Sequence, residues 1–101
     1  MKHGVTAALF AALVLMAPEA RADAIERACL KSEREAASRI LCSCIQGAAD
    51  QTLTGRDQRT GATFFDNPQA AQDMRMSDRS SHEAFWDRWR NFGETAEALC
   101  S

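Results

Sequence analysis

The chain has 101 residues, of which 46% are hydrophobic and 26% are charged, and its formal net charge is −2. A chain of this length supplies one small domain, which buries only about 60% of its unfolded surface and therefore gains from cross-links. The net charge is weakly acidic and the basic residues are interspersed with acidic ones. Nucleic-acid binding requires a concentrated basic face, so we expect no nucleic-acid partner.

The N-terminal residues predict an export signal. Lys2 supplies a positive start, residues 5–17 form an apolar run, and residues 20–22 fit the small-x-small pattern of a cleavage site. The apolar run is shorter than the ~20 residues that a membrane-spanning helix needs. We therefore expect residues 1–22 to be a signal peptide and residues 23–101 to be a single domain without a membrane span, located in the periplasm or secreted.

The sequence of the mature domain predicts an all-α fold, a small bundle of four to five short helices stapled by two disulfides. Asp23 with Glu26 forms a possible capping box for a first helix, and Ser32 with Glu35 forms another that predicts a second helix directly afterwards. Small and apolar residues then recur every four positions, which predicts one buried stripe. The stripe consists of Ala36, Ala37, Ile40, Leu41, Cys44, Ile45, Ala48, Ala49 and Leu53.

Three further helices are predicted in the second half of the mature domain. A weak helix covers residues 57–65, after which Asn67 as N-cap and Pro68 as first helical residue start a short helix over residues 69–75. Ser77 is the predicted N-cap of the last helix, which continues towards the C-terminus. The predicted buried stripe of that helix has a 4-3-4-3 spacing and consists of Phe85, Trp89, Phe92, Ala96 and Leu99.

The last helix carries the candidate partner-binding residues, Trp86 and Trp89. Trp86 lies one position beside the predicted stripe, so we expect part of its ring to reach the surface. Exposed aromatic rings anchor partners because they bury a large area on binding. We therefore predict a structural or interaction protein that binds another protein of the cell envelope. Gly93, within the same helix, predicts a kink or a close helix contact.

Four cysteines in a short exported chain predict two disulfides, formed by Cys29, Cys42, Cys44 and Cys100. Residues two apart on a helix point ~200° away from each other, so Cys42 and Cys44 are poorly placed to pair. Cys44 lies on the predicted stripe that faces the last helix, whereas Cys42 points away. We therefore favour Cys29–Cys42 with Cys44–Cys100, which requires the chain to turn between residues 30 and 38. The pairing Cys29–Cys44 with Cys42–Cys100 stays open.

No catalytic constellation is legible, so we expect no enzymatic activity and no cofactor. An alternative function is soft-metal handling by Met74, Met76 and His82, because thioether and imidazole groups suit Cu(I). Another alternative is binding of an anionic ligand by an arginine-rich face, although these arginines more ordinarily pair with nearby carboxylates on the surface. The arginines are Arg75, Arg79, Arg88 and Arg90, and the carboxylates are Asp73, Asp78, Glu83 and Asp87.

Several short segments of the sequence resemble segments found in a group of short exported four-cysteine proteins of alphaproteobacteria, of unknown function. These segments are Cys42-Ser43-Cys44-Ile45-Gln46, Asp57-Gln58-Arg59, Phe64-Phe65-Asp66-Asn67-Pro68, Ala71-Gln72, Ser77-Asp78 and Glu83-Ala84-Phe85-Trp86. The resemblance covers nearly the whole mature chain, from Cys29 to Cys100. Some members of the group are labelled arginine transporters. For a chain without a membrane span, that label implies at most a soluble accessory that binds a ligand, because it cannot form a transport path.

Overall fold

Five helices and no strand make up the part of the chain that the computed structural model describes, which is residues 23–32 and 34–101. The predicted signal peptide, residues 1–22, lies outside the described residues. The helices are α1 (Ala24–Lys31), α2 (Arg39–Thr52), α3 (Gly55–Asp66), α4 (Pro68–Met76) and α5 (Ser80–Cys100). Two disulfides connect them, so the expected all-α, disulfide-stapled bundle is confirmed. None of these helices is long and apolar enough to cross a membrane.

The connection between α1 and α2 differs from the sequence prediction. Ser32 does not open a helix with Glu35, because its hydroxyl donates to the Cys29 carbonyl at 2.6 Å and so serves the end of α1. The helix begins only at Arg39, where the Ser38 hydroxyl accepts a hydrogen bond from the backbone N–H of Leu41 at 3.1 Å. Ser38 is therefore the N-cap of α2. The longer connection is the turn that a Cys29–Cys42 disulfide requires.

Two other predicted caps are also corrected. Asp23 is at the N-cap position of α1 but makes no capping hydrogen bond, because the amide oxygen of Gln46 on α2 takes the N–H of Glu26 at 2.8 Å instead. Ser77 is not the N-cap of α5, since extended backbone at Ser77 and Arg79 delays the start of the helix to Ser80.

The remaining helix starts agree more closely with the sequence. Thr54 caps α3 by accepting a hydrogen bond from the backbone N–H of Asp57 at 3.0 Å. Pro68 is at the start of α4, as its fixed backbone angle favours, although Asn67 makes no side-chain capping bond there. No described residue of α4 is buried, so this helix packs only lightly on the bundle.

The core joins α1, α2 and α5 through Ile25, Ala48, Ala49, Leu53 and Phe92. Two residues of the predicted stripes do not belong to it, since Ile40 is 85% exposed and Leu99 is 55% exposed. Ile40 lies in the first turn of α2, one turn before Cys44, and Leu99 lies in the last turn of α5, directly before Cys100. Cys42 is fully buried although it was predicted to lie off the stripe, because α1 covers that side of α2 through the Cys29 disulfide. Ala36 and Ala37 precede α2.

The close helix contact is at Gly61 and not at Gly93. Gly61 is buried on α3, and a Cβ at this position would overlap the ring of Trp89 on α5. Gly93 is exposed, and a Cβ there would meet nothing within 4 Å. The absence of a side chain at Gly61 is therefore what lets α3 approach the aromatic face of α5.

Candidate functional site

The two disulfides fasten a neighbour to each side of α2. Cys29–Cys42 joins α1 to α2 with the Cα atoms 5.6 Å apart, and Cys44–Cys100 joins α2 to the end of α5 with the Cα atoms 5.8 Å apart. This is the pairing that the sequence favoured. The first disulfide is buried, whereas both cysteines of the second are half-buried. All four sulfurs are cross-linked, so none is a free thiol.

Trp89 is the centre of an aromatic cluster that joins α3 and α5. Its ring contacts Phe64 edge-on, Phe85 in a stacked arrangement and Phe92 at a tilt, with ring centroids 5.2, 5.9 and 4.9 Å away. Phe64 and Phe85 also meet edge-to-face at 5.9 Å. Arrangements of this kind are worth about 0.5–1.5 kcal/mol per pair beyond the area they bury. Trp89 therefore has a structural role whatever else it does.

Trp89 also reaches the surface, where it lines an apolar groove. The groove consists of two adjoining depressions of about 130 Å³ each, which share Arg34 and Phe65. Phe64 and Trp89 complete the first depression. The second is completed by residues of α1, of the α1–α2 connection and of α2, namely Cys29, Ser32, Ala36, Ala37, Leu41 and Ile45. Apart from Arg34 and Ser32 the lining is apolar, so this surface favours apolar groups.

Trp86 lies outside the aromatic cluster. It belongs to none of the ring pairs within the described residues, and its side chain is half-buried. The four-ring cluster is complete without it. Trp86 is thus the aromatic residue of α5 that can leave its present surroundings without dismantling the contact between α3 and α5.

A partly buried ion pair between Asp57 and Arg88 was not predicted. Arg88 donates two hydrogen bonds to the Asp57 carboxylate, at 2.6 and 3.0 Å, and the side chain of Asp57 is only 7% exposed. The hydrogen bonds from Arg88 hold the pKa of Asp57 below its ordinary value, against the opposing effect of burial. The same pair raises the pKa of Arg88. The expected surface pairing of Arg88 with neighbours on its own helix is therefore wrong.

The other predicted arginines are at the surface. Arg90 approaches Asp87 one turn earlier on α5, at 3.6 Å, as an exposed pair. Arg75 and Arg79 are exposed and make no ion pair within the described residues. None of these three arginines lines the cleft between α3, α4 and α5 that Arg88 borders.

A buried amide network was also missed. The side chain of Gln46 on α2 donates to Asp50 and to Gln58, both at 2.8 Å, and its oxygen accepts the N–H of Glu26. Three helices thus converge on one side chain, which leaves its polar atoms satisfied although it is buried. A signal was present in the sequence, because Cys42, Gln46, Ala49 and Leu53 have the 4-3-4 spacing of a buried helix face.

The structure brings together two of the three residues of the soft-metal alternative. Met74 and His82 line one cleft between α3, α4 and α5, whereas Met76 is 79% exposed and lies outside it. The Nδ1 atom of His82 is 2.7 Å from the Ser77 hydroxyl. Within the described residues there is no group of three or more His, Cys, Asp or Glu side chains arranged to hold a metal ion. Arg56 and Arg88 line the same cleft and oppose a cation.

No protein-family model, no curated protein and no solved structure matches this chain. The fold and the two surface depressions therefore provide the basis for the function proposed below.

Proposed function

We propose that this chain is an exported, non-catalytic interaction protein that binds an apolar segment of another cell-envelope protein in the apolar groove beside Trp89. The observation that carries the proposal is the groove itself, an apolar surface built on a disulfide-linked frame. The two disulfides are consistent with export, since such bonds persist mainly in oxidising compartments.

The size of the groove favours a protein segment over a small molecule as its occupant. Each depression measures about 130 Å³, and a cavity of about 150 Å³ holds one benzene-sized group. Sites for drug-sized ligands are larger, at about 300–1,000 Å³. Two adjoining depressions suit two apolar side chains of one segment, with Arg34 between them to meet the polar backbone or an acidic neighbour.

The rigid frame of the groove favours affinity. Cys29 lines the groove, and its disulfide to Cys42 closes the loop that carries Ala36 and Ala37. A surface that is already ordered loses less conformational entropy on binding than a mobile one. Trp86 on α5 is the candidate for a second contact, because it is half-buried and the core does not depend on it.

Site-specific photo-cross-linking in the source organism tests this proposal. A benzophenone side chain at Ala36, in the groove, is expected to cross-link one defined envelope protein. The same group at Ala98, exposed on α5 and outside the groove, is expected to leave that protein unlabelled. Equal labelling from both positions would contradict the proposal.

Binding measurements with the purified partner complete the test. Ala36→Phe fills the groove and should weaken binding at least about tenfold, whereas Ala98→Phe adds the same ring outside it and should not. Trp86→Ala should weaken binding by about thirtyfold if Trp86 is a principal anchor. Leu30→Ala, at an exposed apolar residue of α1 outside the groove, is the matched control. Wild-type affinity for Ala36→Phe would rule out the groove as the contact.

A further inference from the structure

A separate depression, which we call the polar cleft, lies where α3, α4 and α5 meet. Its volume is about 350 Å³, which reaches the range of small-molecule sites. The lining residues are Arg56, Asp57, Thr60, Met74, Ser81, His82, Phe85 and Arg88. The cleft shares no lining residue with the apolar groove, so a ligand in the cleft and a partner in the groove would occupy separate surfaces.

The charge of the polar cleft is positive. Its acidic lining residue, Asp57, has both carboxylate oxygens occupied by Arg88, so these two charges cancel. Arg56 forms no ion pair within the described residues and contributes one net positive charge. The first turns of α3 and α5 also border the cleft, and the helix dipole favours an anion there, although each first turn already carries one carboxylate, that of Asp57 in α3 and that of Glu83 in α5.

The walls of the polar cleft are chemically divided. Hydroxyl groups of Thr60 and Ser81 and the imidazole of His82 supply hydrogen-bonding groups. The Nδ1 atom of His82 lies 2.7 Å from the Ser77 hydroxyl, which holds the ring at the wall of the cleft. Phe85 and Met74 supply an apolar wall. A ligand that fits has a charged end and an apolar body.

We propose that the polar cleft binds a small organic monoanion, a carboxylate attached to an apolar group. The carboxylate is held by Arg56 with the Thr60 and Ser81 hydroxyls, and the apolar group lies against Phe85 and Met74. A single net positive charge matches a carboxylate better than the doubly charged end of a phosphate monoester. Arginine is suited to this role because its planar guanidinium donates two parallel hydrogen bonds to a carboxylate.

The two neighbouring methionines allow a direct test by NMR of the purified protein with both disulfides intact. The methyl group of Met74 lines the cleft, whereas that of Met76 is exposed outside it. Titration with phenylacetate is expected to give a saturable shift of the ¹³C-methyl signal of Met74 and little change at Met76. Phenylacetamide, the neutral match, should bind at least about tenfold more weakly, and phenyl phosphate should also bind more weakly than phenylacetate.

Arginine variants locate the binding energy. Arg56→Gln should weaken phenylacetate binding at least about tenfold, whereas Arg75→Gln, outside the cleft, should leave it unchanged. Unchanged backbone spectra for both variants exclude a folding defect as the cause. The proposal is overturned by no saturable shift at millimolar phenylacetate, by equal shifts of both methionines, by wild-type affinity of Arg56→Gln, or by tighter binding of phenylacetamide or phenyl phosphate.

Discussion

The two halves of α5 are attached to the bundle by different physical means. The C-terminal half packs on α2 through small and apolar residues, and the Cys44–Cys100 disulfide closes its end. The N-terminal half packs on α3 and α4 through aromatic rings, the approach at Gly61 and the Asp57–Arg88 ion pair, without a cross-link. One half is secured by a covalent bond that tolerates imperfect packing, and the other depends on close fit.

This difference bears on the proposed ligand site, because Asp57, Phe85 and Arg88 both line the polar cleft and hold α3 to α5. The polar cleft lies entirely in the half without a cross-link, where α4 buries no described residue. A lightly packed helix beside a cleft can adjust to a ligand at little energetic cost. The two disulfides would hold α1, α2 and α5 together during such an adjustment.

The largest predicted effect is that of reduction, which tests the cross-linked half. Loop-closure entropy assigns about 3 kcal/mol to Cys29–Cys42 and about 4 kcal/mol to Cys44–Cys100. Together these values approach the whole stability of a small domain, about 5–15 kcal/mol. We expect helical circular dichroism to collapse in excess dithiothreitol at neutral pH. Retained helicity would mean that packing alone holds the bundle.

Paired replacements in urea titrations separate the two disulfides. Replacing Cys44 and Cys100 by alanine should lower the free energy of unfolding more than replacing Cys29 and Cys42, because the Cys44–Cys100 disulfide closes the longer loop. The reverse order would show that the burial of Cys42 outweighs the length of the closed loop.

Trp89→Ala tests the half without a cross-link and should cost about 3–5 kcal/mol, because it removes the centre of the aromatic cluster. Trp86→Ala is the matched control on the same helix and should cost about 1 kcal/mol or less, since Trp86 is half-buried and outside the cluster. Chemical denaturation of both variants measures the difference. Similar costs would mean that the two tryptophans share the structural role.

Replacing glycine by alanine should change the free energy of unfolding in opposite directions at Gly61 and at Gly93. Gly61→Ala places a methyl group against the Trp89 ring and should cost about 3 kcal/mol through overpacking. Gly93→Ala meets nothing within 4 Å and should gain about 0.5–1 kcal/mol from higher helix propensity. Thermal unfolding distinguishes them by the direction of the shift. Stabilisation by Gly61→Ala would show that α3 and α5 are not in close contact.

Asp57→Asn should make stability less dependent on acid. The folded-state pKa of Asp57 is lowered by Arg88, so its stabilisation is present above the unfolded pKa of about 3.9 and is lost as pH falls through the lower folded pKa. At pH 7 the change should cost about 1.5 kcal/mol, because Arg88 is half exposed and solvent weakens the pair. Asp87→Asn, in the exposed pair with Arg90, is the control. Equal acid sensitivity of wild type and Asp57→Asn would contradict this role.

The smallest predicted effect concerns a helix cap in the cross-linked half. Ser38→Ala removes the side-chain acceptor for Leu41 N–H and should cost about 1 kcal/mol. Ser77→Ala should cost less, because Ser77 is not the N-cap of α5 and its hydroxyl bonds, within the described residues, to Arg79 N–H and His82 alone. Urea titration compares the two serines directly. A larger loss for Ser77→Ala would indicate that its bonds to Arg79 and His82 hold the start of α5.

Local patterns predicted an all-α bundle of four to five helices and favoured, without settling, the disulfide pairing that the structure has. The two-residue spacing of Cys42 and Cys44 directs their sulfurs to different neighbours whatever else the chain does. The buried face of α2 was predicted only in part. The paired apolar residues of the predicted stripe indicate a different face from the one that contains Cys42 and Gln46. Only the fold reveals that Glu26, Asp50 and Gln58 satisfy this amide.

The polar cleft and the ion pair could not be predicted from the sequence. Asp57 and Arg88 are 31 positions apart, and nothing in their local sequence indicates that they meet. The same holds for Gly61. Glycine is required there because the Trp89 ring occupies the space that a Cβ atom would take. Contacts of this kind depend on how α3 crosses α5, which local periodicity does not encode.

The placement of the disulfides also determines what a single backbone cut would do to the chain. Between Cys29 and Cys100, the shortest covalent path crosses to Cys42, continues through Ser43 to Cys44, and crosses again to Cys100. The segments 30–41 and 45–99 lie outside this covalent path. A chain cut by a protease once within either segment would therefore stay joined between Cys29 and Cys100 through two disulfides and the short piece of backbone from Cys42 to Cys44.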